Sequence, residues 1–296
     1  MTLFLLSCSL GQAIPTPTPT LTLQPTGTST SSPIPFQRYG ETLRDVTYCT
    51  PDDLPQTLDV YFPQAGGPWP AVVYIHGGGW RYGDKSEAAG MAAGMTAQGY
   101  LVASINYRLY PTGKFPDMIE DAKCAIRFLR HNAGAYNLDP GRIAAVGVSA
   151  GGHLAALLGT TDESAGWDVG EYLDQSSRVQ AVVTMSAPLD LKREFPTADT
   201  TFREVGAGQD LAAASPITYV SAGDPPFLLI QGDRDELVPA EQGQLMYDRL
   251  TQANVPVQLV IVRNGRHSLT APDGSATPTL GEISQTMLDF LRRKLK

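Results

Sequence analysis

Ser149 lies in Gly147-Val148-Ser149-Ala150-Gly151-Gly152, between an apolar run (142–148) and a helical pattern of small residues (150–158). A serine with a glycine two residues away on each side, where a strand turns into a helix, has the form of a nucleophile elbow. The chain must reverse sharply there, so its neighbours must lack bulk and the serine must sit in a strained backbone region. Its hydroxyl is then presented at the carboxyl end of the strand, where it can attack a carbonyl. The pentapeptide alone also arises by chance in a chain with 29 glycines, so its surroundings must decide.

Three further features fall where such a serine needs them. His76-Gly77-Gly78-Gly79-Trp80 directly follows the apolar run 71–75. A glycine-rich turn at that place can aim the N–H groups of Gly78 and Gly79, together with that of Ala150, at a developing oxyanion. The other reading, a phosphate-cradling loop, lacks both the Lys-Ser/Thr of a P-loop and the spacing of a dinucleotide fingerprint. An acid should follow the run 227–230, where Gln231-Gly232-Asp233-Arg234-Asp235-Glu236-Leu237-Val238-Pro239 offers three carboxylates within four residues. Asp235 is the choice, because it lies deeper in the turn and just before the apolar Leu237-Val238. Asp233 is the alternative, and both Asp233 and Glu236 read as loop-capping or solvated groups.

The base is one of four histidines. Only His267, in Asn264-Gly265-Arg266-His267-Ser268 after the last apolar run, completes the chain order Ser, Asp, His. His76 is expected to fix the glycine loop by hydrogen bonds. His131 reads as a cation at a helix C-terminus and His153 as a packed helix residue. In the resulting chemistry His267 takes the Ser149 proton and Asp235 holds the imidazole tautomer, while Gly78, Gly79 and Ala150 stabilise the oxyanion. Water then releases the acyl group. Such chemistry needs no cofactor, and no His/Cys/Asp/Glu set has metal-ligand spacing.

Positioning these groups requires strands alternating with helices. Apolar, β-branched runs at 46–48, 58–62, 71–75, 100–105, 143–148, 179–185, 227–230 and 257–262 predict eight strands. The first two read as antiparallel and the later ones as buried on both faces. Helical patterns at 85–98, 117–133, 150–158, 240–253 and 280–295 separate them. That alternation specifies an α/β fold, a mostly parallel sheet covered on both faces by right-handed crossovers. Two weakly periodic segments, 161–177 and 188–215, read as small insertions above the carboxyl edge, where they would shape the acyl or alcohol pocket.

The chain has 296 residues, a net charge of −8 and a pI near 5.0, with no basic run able to neutralise a phosphate track, so a nucleic-acid partner is not expected. Arg292-Arg293-Lys294-Leu295-Lys296 reads as the solvated end of a helix, where cations meet the negative pole of the dipole. Cys8, Cys49 and Cys124 are too few and too scattered to predict a disulfide framework. Cys8 closes Leu3-Phe4-Leu5-Leu6-Ser7-Cys8, which resembles the lipobox of bacterial lipoproteins, so residues 1–14 read as a truncated signal segment. Residues 15–38, rich in Pro, Thr and Ser, read as an extended linker. The expectation is an exported domain, 39–296, secreted or tethered to a membrane surface through a lipidated Cys8. No later stretch approaches the roughly 20 apolar residues of a spanning helix.

From about residue 39 to 290 the chain resembles the α/β-hydrolases of the bifunctional acetylxylan/feruloyl esterase type, neighbours of the hormone-sensitive-lipase-like esterases. The resemblance rests on Leu58-Asp59-Val60-Tyr61, His76-Gly77-Gly78-Gly79-Trp80 with Gly83-Asp84-Lys85, and Ile105-Asn106-Tyr107-Arg108-Leu109. It continues through Tyr136-Asn137-Leu138-Asp139-Pro140, Arg142-Ile143, Ser149-Ala150-Gly151-Gly152-His153-Leu154, Ser215-Pro216-Ile217 and the stretch from Asp235 to Pro239. Two places depart from the family pattern: Gln231-Gly232 stands for His-Gly, and Arg266-His267-Ser268 for Gly-His-Gly. Arg266 is thereby placed to act on the imidazole or to meet a substrate carboxylate. The resemblance implies a serine carboxylesterase acting on small acyl or carbohydrate-linked esters. An amide or formamide hydrolase of the same fold is the alternative, and a non-catalytic binding domain on a stalk a third reading.

Overall fold

A computed structural model describes residues 36–193, 204–206 and 210–295. Cys8 and the Pro/Thr/Ser-rich segment up to residue 35 lie outside the described residues. Eight strands form one sheet in the order β1-β2-β4-β3-β5-β6-β7-β8. They are β1 (Thr42–Cys49), β2 (Gln56–Tyr61), β3 (Trp69–Ile75), β4 (Leu101–Ile105), β5 (Leu138–Val148), β6 (Ala181–Met185), β7 (Phe227–Gly232) and β8 (Val257–Val262). β1 and β2, then β2 and β4, pair antiparallel, and the remaining strands run parallel. The register pairs Ile75 with Gly147, Val148 with Met185, and Gly232 with Val262, so the ends of β3, β5, β6, β7 and β8 come out along one edge.

The central strands are apolar on both faces because helices cover both. In β3, Ala71, Val73 and Ile75 enter one core while Val72 and Tyr74 enter the other, as the period-two pleat requires. The first core takes side chains of α2 (Asp117–His131), α3 (Ala150–Thr160) and α5 (Glu241–Gln252), the short α4 (Pro216–Tyr219) leading into β7. The second takes α1 (Ala89–Ala97) and α6 (Leu280–Leu295). At the start of the described chain Phe36 and Tyr39 pack edge-on against Trp69, with centroids 5.2 and 5.7 Å away.

One expectation is corrected. Cys49 and Cys124 form a disulfide joining β1 to α2, their Cα atoms 6.5 Å apart across 75 residues of sequence. Spacing in the chain hid the pair, because only the packing of α2 beside the sheet brings the two thiols together. Closing so long a loop restricts the unfolded chain, and the bond is expected to contribute about 2–4 kcal/mol. Cys49→Ser/Cys124→Ser should lower the urea midpoint accordingly, while adding reductant to that variant should lower it no further.

Residues 161–177 leave from the side opposite the carboxyl edge and return toward it, Trp167 meeting Phe115 of the loop after β4 with ring centroids 5.1 Å apart. Helix α3 runs back from that edge, so Thr161 starts at the opposite side of the sheet and the segment climbs the flank of α2. There Asp168 accepts from Lys123 Nζ and Arg127 Nη1, each at 2.8 Å, and Glu171 O accepts from Arg127 Nε at 3.0 Å. Arg130 gathers the return of the segment through Ser176 O and Arg178 O. Of the segment 188–215, residues 188–193 follow β6 from the carboxyl edge, and 194–203 and 207–209 lie outside the described residues.

Candidate active site

Ser149 caps the start of α3 with φ 54° and ψ −121°, a backbone conformation that only a tightly enforced turn imposes on a side-chain-bearing residue. Its N–H donates to Met185 O at 2.8 Å, which fixes the elbow to the end of β6. Gly147 is required because a Cβ there would lie 2.1 Å from Gly151 O, where the strand and the new helix nearly touch. The sequence thus folds sharply at this point because glycine lets two backbone segments approach where any side chain would intrude.

The loop after β3 closes over the same corner. A Cβ on Gly77 would stand 3.3 Å from Ser149 Cβ, so this backbone runs directly past the serine. Gly78 (φ 104°), Gly79 (φ 58°) and Trp80 (φ 59°) are consecutive left-handed residues. Gly78 O accepts from Arg81 N and Tyr82 N at 3.0 Å each, so the turn is closed from within. Among the described residues the N–H groups of Gly78, Gly79 and Ala150 donate to no backbone acceptor. For Ala150 the reason is general, since the first N–H groups of a helix have no partner inside it.

His76 anchors that loop, as expected from its place before the glycines. Its Nδ1 is 2.8 Å from Gly77 O, and because a carbonyl only accepts, Nδ1 carries the proton. Full burial pushes its pKa below the ordinary histidine value and keeps the ring neutral. Tyr107 stacks on it at 4.5 Å, and the Tyr107 hydroxyl donates to His76 O at 3.1 Å. The neighbours of Tyr107 extend this brace. Asn106 Oδ1 accepts from Lys85 N at 2.7 Å, and the Arg108 guanidinium bonds the buried Asp121 of α2, 2.9 Å from Nη2 to Oδ1. The Asn-Tyr-Arg motif is therefore the support of the glycine loop, a role its sequence did not disclose.

At the other side of the elbow Asp235 and His267 meet. His267 Nδ1 lies 3.0 and 2.9 Å from Asp235 Oδ1 and Oδ2. The Asp235 carboxylate is fully buried and the imidazole is 21% exposed. Asp235 Oδ1 also accepts from Leu237 N and Val238 N at 2.9 Å each, so the following turn orients the acid. Asp233 and Glu236 are exposed, and neither touches the imidazole. The acid and base loops approach at Gly232, where a Cβ would be 2.2 Å from Gly265 O.

Three supporting residues escape a reading of the sequence. Ser186, with φ 51°, follows the Met185 that accepts from Ser149, and its hydroxyl donates to His267 O at 2.8 Å. The base loop is thereby tied to the strand end that holds the elbow. Gln231, at the position where the chain departs from its family pattern, accepts from Ala187 N at 2.9 Å and aims its amide at Val238 O and Pro239 O. Gln242 Oε1 accepts from Leu189 N and Asp190 N at 2.8 and 2.7 Å. A glutamine ending the apolar run Phe-Leu-Leu-Ile was the one visible signal.

The remaining histidines stand apart from this pair. His153 is buried and neutral, its pKa lowered to about 4 by burial, and Nε2 lies 2.7 Å from Ala214 O. His131, exposed at the end of α2, lies with its ring centroid 4.8 Å from that of Tyr172. Arg266 projects into solvent, and its N–H donates to Thr270 O at 2.9 Å. Among the described residues no group of three or more His, Cys, Asp or Glu side chains is placed to hold a metal ion.

A mostly parallel eight-stranded sheet, with a strained serine at a strand-to-helix elbow and a buried Asp–His pair at the edge beside it, has the architecture of an α/β-hydrolase. Within that class the chain belongs to the BD-FAE family, whose model matches residues 58–250. It is 31% identical over 252 residues to esterase LipC of Mycobacterium tuberculosis, covering 79% of this chain and 62% of that protein. Among solved structures, a truncated carbohydrate esterase from gut microbiota superposes with a TM-score of 0.72 at 28% identity, covering 87% of this chain and 97% of that one. Thermogutta terrifontis esterase 2 with bound butyrate gives a TM-score of 0.73 at 27% identity, covering 84% of this chain and 93% of that one. The chain spans 62%, 46% and 64% of the first curated relatives it matches.

Proposed function

We propose that the chain is a serine carboxylesterase acting on small acyl or carbohydrate-linked esters through an acyl-enzyme. The observation that carries this reading is the buried Asp235 bonded to His267 Nδ1 on loops tied to the Ser149 elbow. With the proton on Nδ1, Nε2 is the basic nitrogen, and it takes the Ser149 hydroxyl proton as oxygen attacks the ester carbonyl. The charge that develops on the carbonyl oxygen is met by the N–H groups of Gly78, Gly79 and Ala150, already oriented and committed to no backbone acceptor. Collapse of the tetrahedral species expels the alcohol, which takes the proton from the imidazolium. Water then attacks the acyl-serine by the same route.

The relatives support the ester bond as the target: one is named an esterase, one structural neighbour a carbohydrate esterase, and another was solved with butyrate. Export, secreted or tethered through Cys8, is part of the same reading. The Cys49–Cys124 disulfide supports it, since such bonds persist in oxidising compartments.

A panel of 4-nitrophenyl acetate, acetylated xylan, methyl ferulate and N-formylkynurenine tests the assignment. The esters are expected to be hydrolysed with higher kcat/KM than the formamide, and acetate release from xylan is the diagnostic signal. Faster turnover of N-formylkynurenine than of every ester would transfer the chain to the amidases.

A further inference from the structure

The two cysteines of the disulfide stand beside the residues that hold the support of the glycine loop. Cys49 follows Tyr48 at the end of β1, and the buried Tyr48 donates its hydroxyl proton to Asn106 O at 2.6 Å. Cys124 lies one turn after Asp121 on α2, and Asp121 accepts from Arg108 N at 2.8 Å and from Arg108 Nε at 3.0 Å. Between these two holds lies Tyr107, whose ring stacks on His76 and whose hydroxyl donates to His76 O at the entry to the glycine loop. The disulfide therefore joins the two walls that grip Asn106-Tyr107-Arg108.

Without the bond one of those walls is weakly held. β1 is an edge strand paired to β2 alone, and its ladder is irregular between Thr47 and Cys49, where Tyr48 sits. An edge strand with interrupted pairing is the part of a sheet that opens at least cost. The covalent link fixes the end of β1 against α2, and with it the separation of Tyr48 from Asp121. Cys49, Cys124 and Arg108 line one cavity of about 360 Å³, so a small dithiol can approach the sulfurs from the side of the brace.

We propose that Tyr48 and the Cys49–Cys124 disulfide are positioning elements of the oxyanion hole, so that full turnover requires the oxidised chain. The inference rests on the esterase reading above and adds a redox condition to it. A dithiol such as dithiothreitol breaks the S–S bond, delivers two electrons and two protons to the sulfurs and leaves as a cyclic disulfide. The end of β1 is then released from α2, the Tyr48 hold on Asn106 loosens, and Tyr107 no longer fixes His76 and the Gly78 and Gly79 N–H groups beyond it. Asp235 and His267, on the loops after β7 and β8, touch none of these residues and keep their bond.

Turnover of 4-nitrophenyl acetate before and after dithiothreitol tests it, at a temperature where circular dichroism shows the reduced chain folded. Reduction should lower kcat and kcat/KM together by about tenfold, because the oxyanion donors act chiefly in the transition state, and reoxidation should restore both. Cys49→Ser/Cys124→Ser should match the reduced wild type and ignore the reductant. Tyr48→Phe, which keeps the ring and the disulfide, should lower kcat several-fold in the oxidised chain and cost little more in the Cys49→Ser/Cys124→Ser background. Leu291→Ala, in the core beneath α6, should lower the urea midpoint and leave kcat as it was. Equal kcat in the oxidised and reduced chains overturns the proposal. So does a Tyr48→Phe loss that is as large without the disulfide as with it, or a matching loss of kcat in Leu291→Ala, which would reduce the effect to stability. Amide shifts separate these outcomes from failure of the esterase reading. In ¹H–¹⁵N spectra the Gly78 and Gly79 signals should move on reduction while that of His267 stays; unmoved glycine signals overturn the proposal whether or not any ester is turned over.

Discussion

Ser149→Ala is expected to lower kcat for 4-nitrophenyl acetate by about 10⁵- to 10⁶-fold, leaving the small residual rate that oriented N–H groups and substrate binding provide without a nucleophile. The substitution removes one oxygen and leaves the backbone requirement at φ 54° as it was, because alanine and serine pay the same steric penalty there. The Ser149 N–H to Met185 O bond is a backbone bond and survives. Thermal midpoint and far-UV circular dichroism should therefore match the wild type while turnover collapses. A fluorophosphonate probe should label the wild type and not the variant. Substantial turnover by the pure variant would remove Ser149 from the chemistry.

Asp235→Asn is expected to cost about 10⁴-fold in kcat with the fold intact. Asp235 Oδ1 holds the N–H groups of Leu237 and Val238, and an asparagine can keep both bonds with its amide oxygen. Its NH₂ group then faces His267 Nδ1, where the carboxylate now accepts. A donor there requires Nδ1 to be the acceptor, so the proton moves to Nε2, the nitrogen that must receive the serine proton. The tautomer is inverted while the geometry remains. Steady-state kinetics read the loss, and ¹⁵N shifts of the imidazole read the tautomer. If Asp233 were the acid instead, Asp233→Asn would carry the large loss and Asp235→Asn a small one; the exposure of Asp233 makes the opposite result the expected one.

The two variants separate groups that the chain itself displays unequally. Ser149 was legible because an elbow leaves a local record, the glycines at 147 and 151 that allow strand and helix to touch. His267 was legible through its place after the last strand, once the order Ser, Asp, His was sought. Asp235 was a choice among three neighbouring carboxylates, and only the turn that buries it against Leu237 and Val238 decides which one faces the imidazole. The strands and helices were legible for the same local reason as the elbow. A run such as Ala71-Val72-Val73-Tyr74-Ile75 must be covered on both faces wherever it occurs.

What depended on the folded chain were contacts between distant segments. The disulfide joins residues 75 apart, and the segment 161–177 lies along α2 because α3 delivers it to the far edge of the sheet. Ser186 and Gln242 have no motif around them and Gln231 showed only as a departure from the family pattern, yet the three tie the elbow, the base loop and the acid loop into one frame. The amino-acid sequence by itself determined the element order, the strained serine, the glycine loop and the small set of candidates for acid and base. These follow from backbone sterics and burial pattern, which act over a few residues. The tertiary structure alone decided which carboxylate meets His267 and which side chains brace the loops. Those pairings arise from the order in which β3, β5, β6, β7 and β8 lie side by side, and strand order is set by packing across the whole sheet.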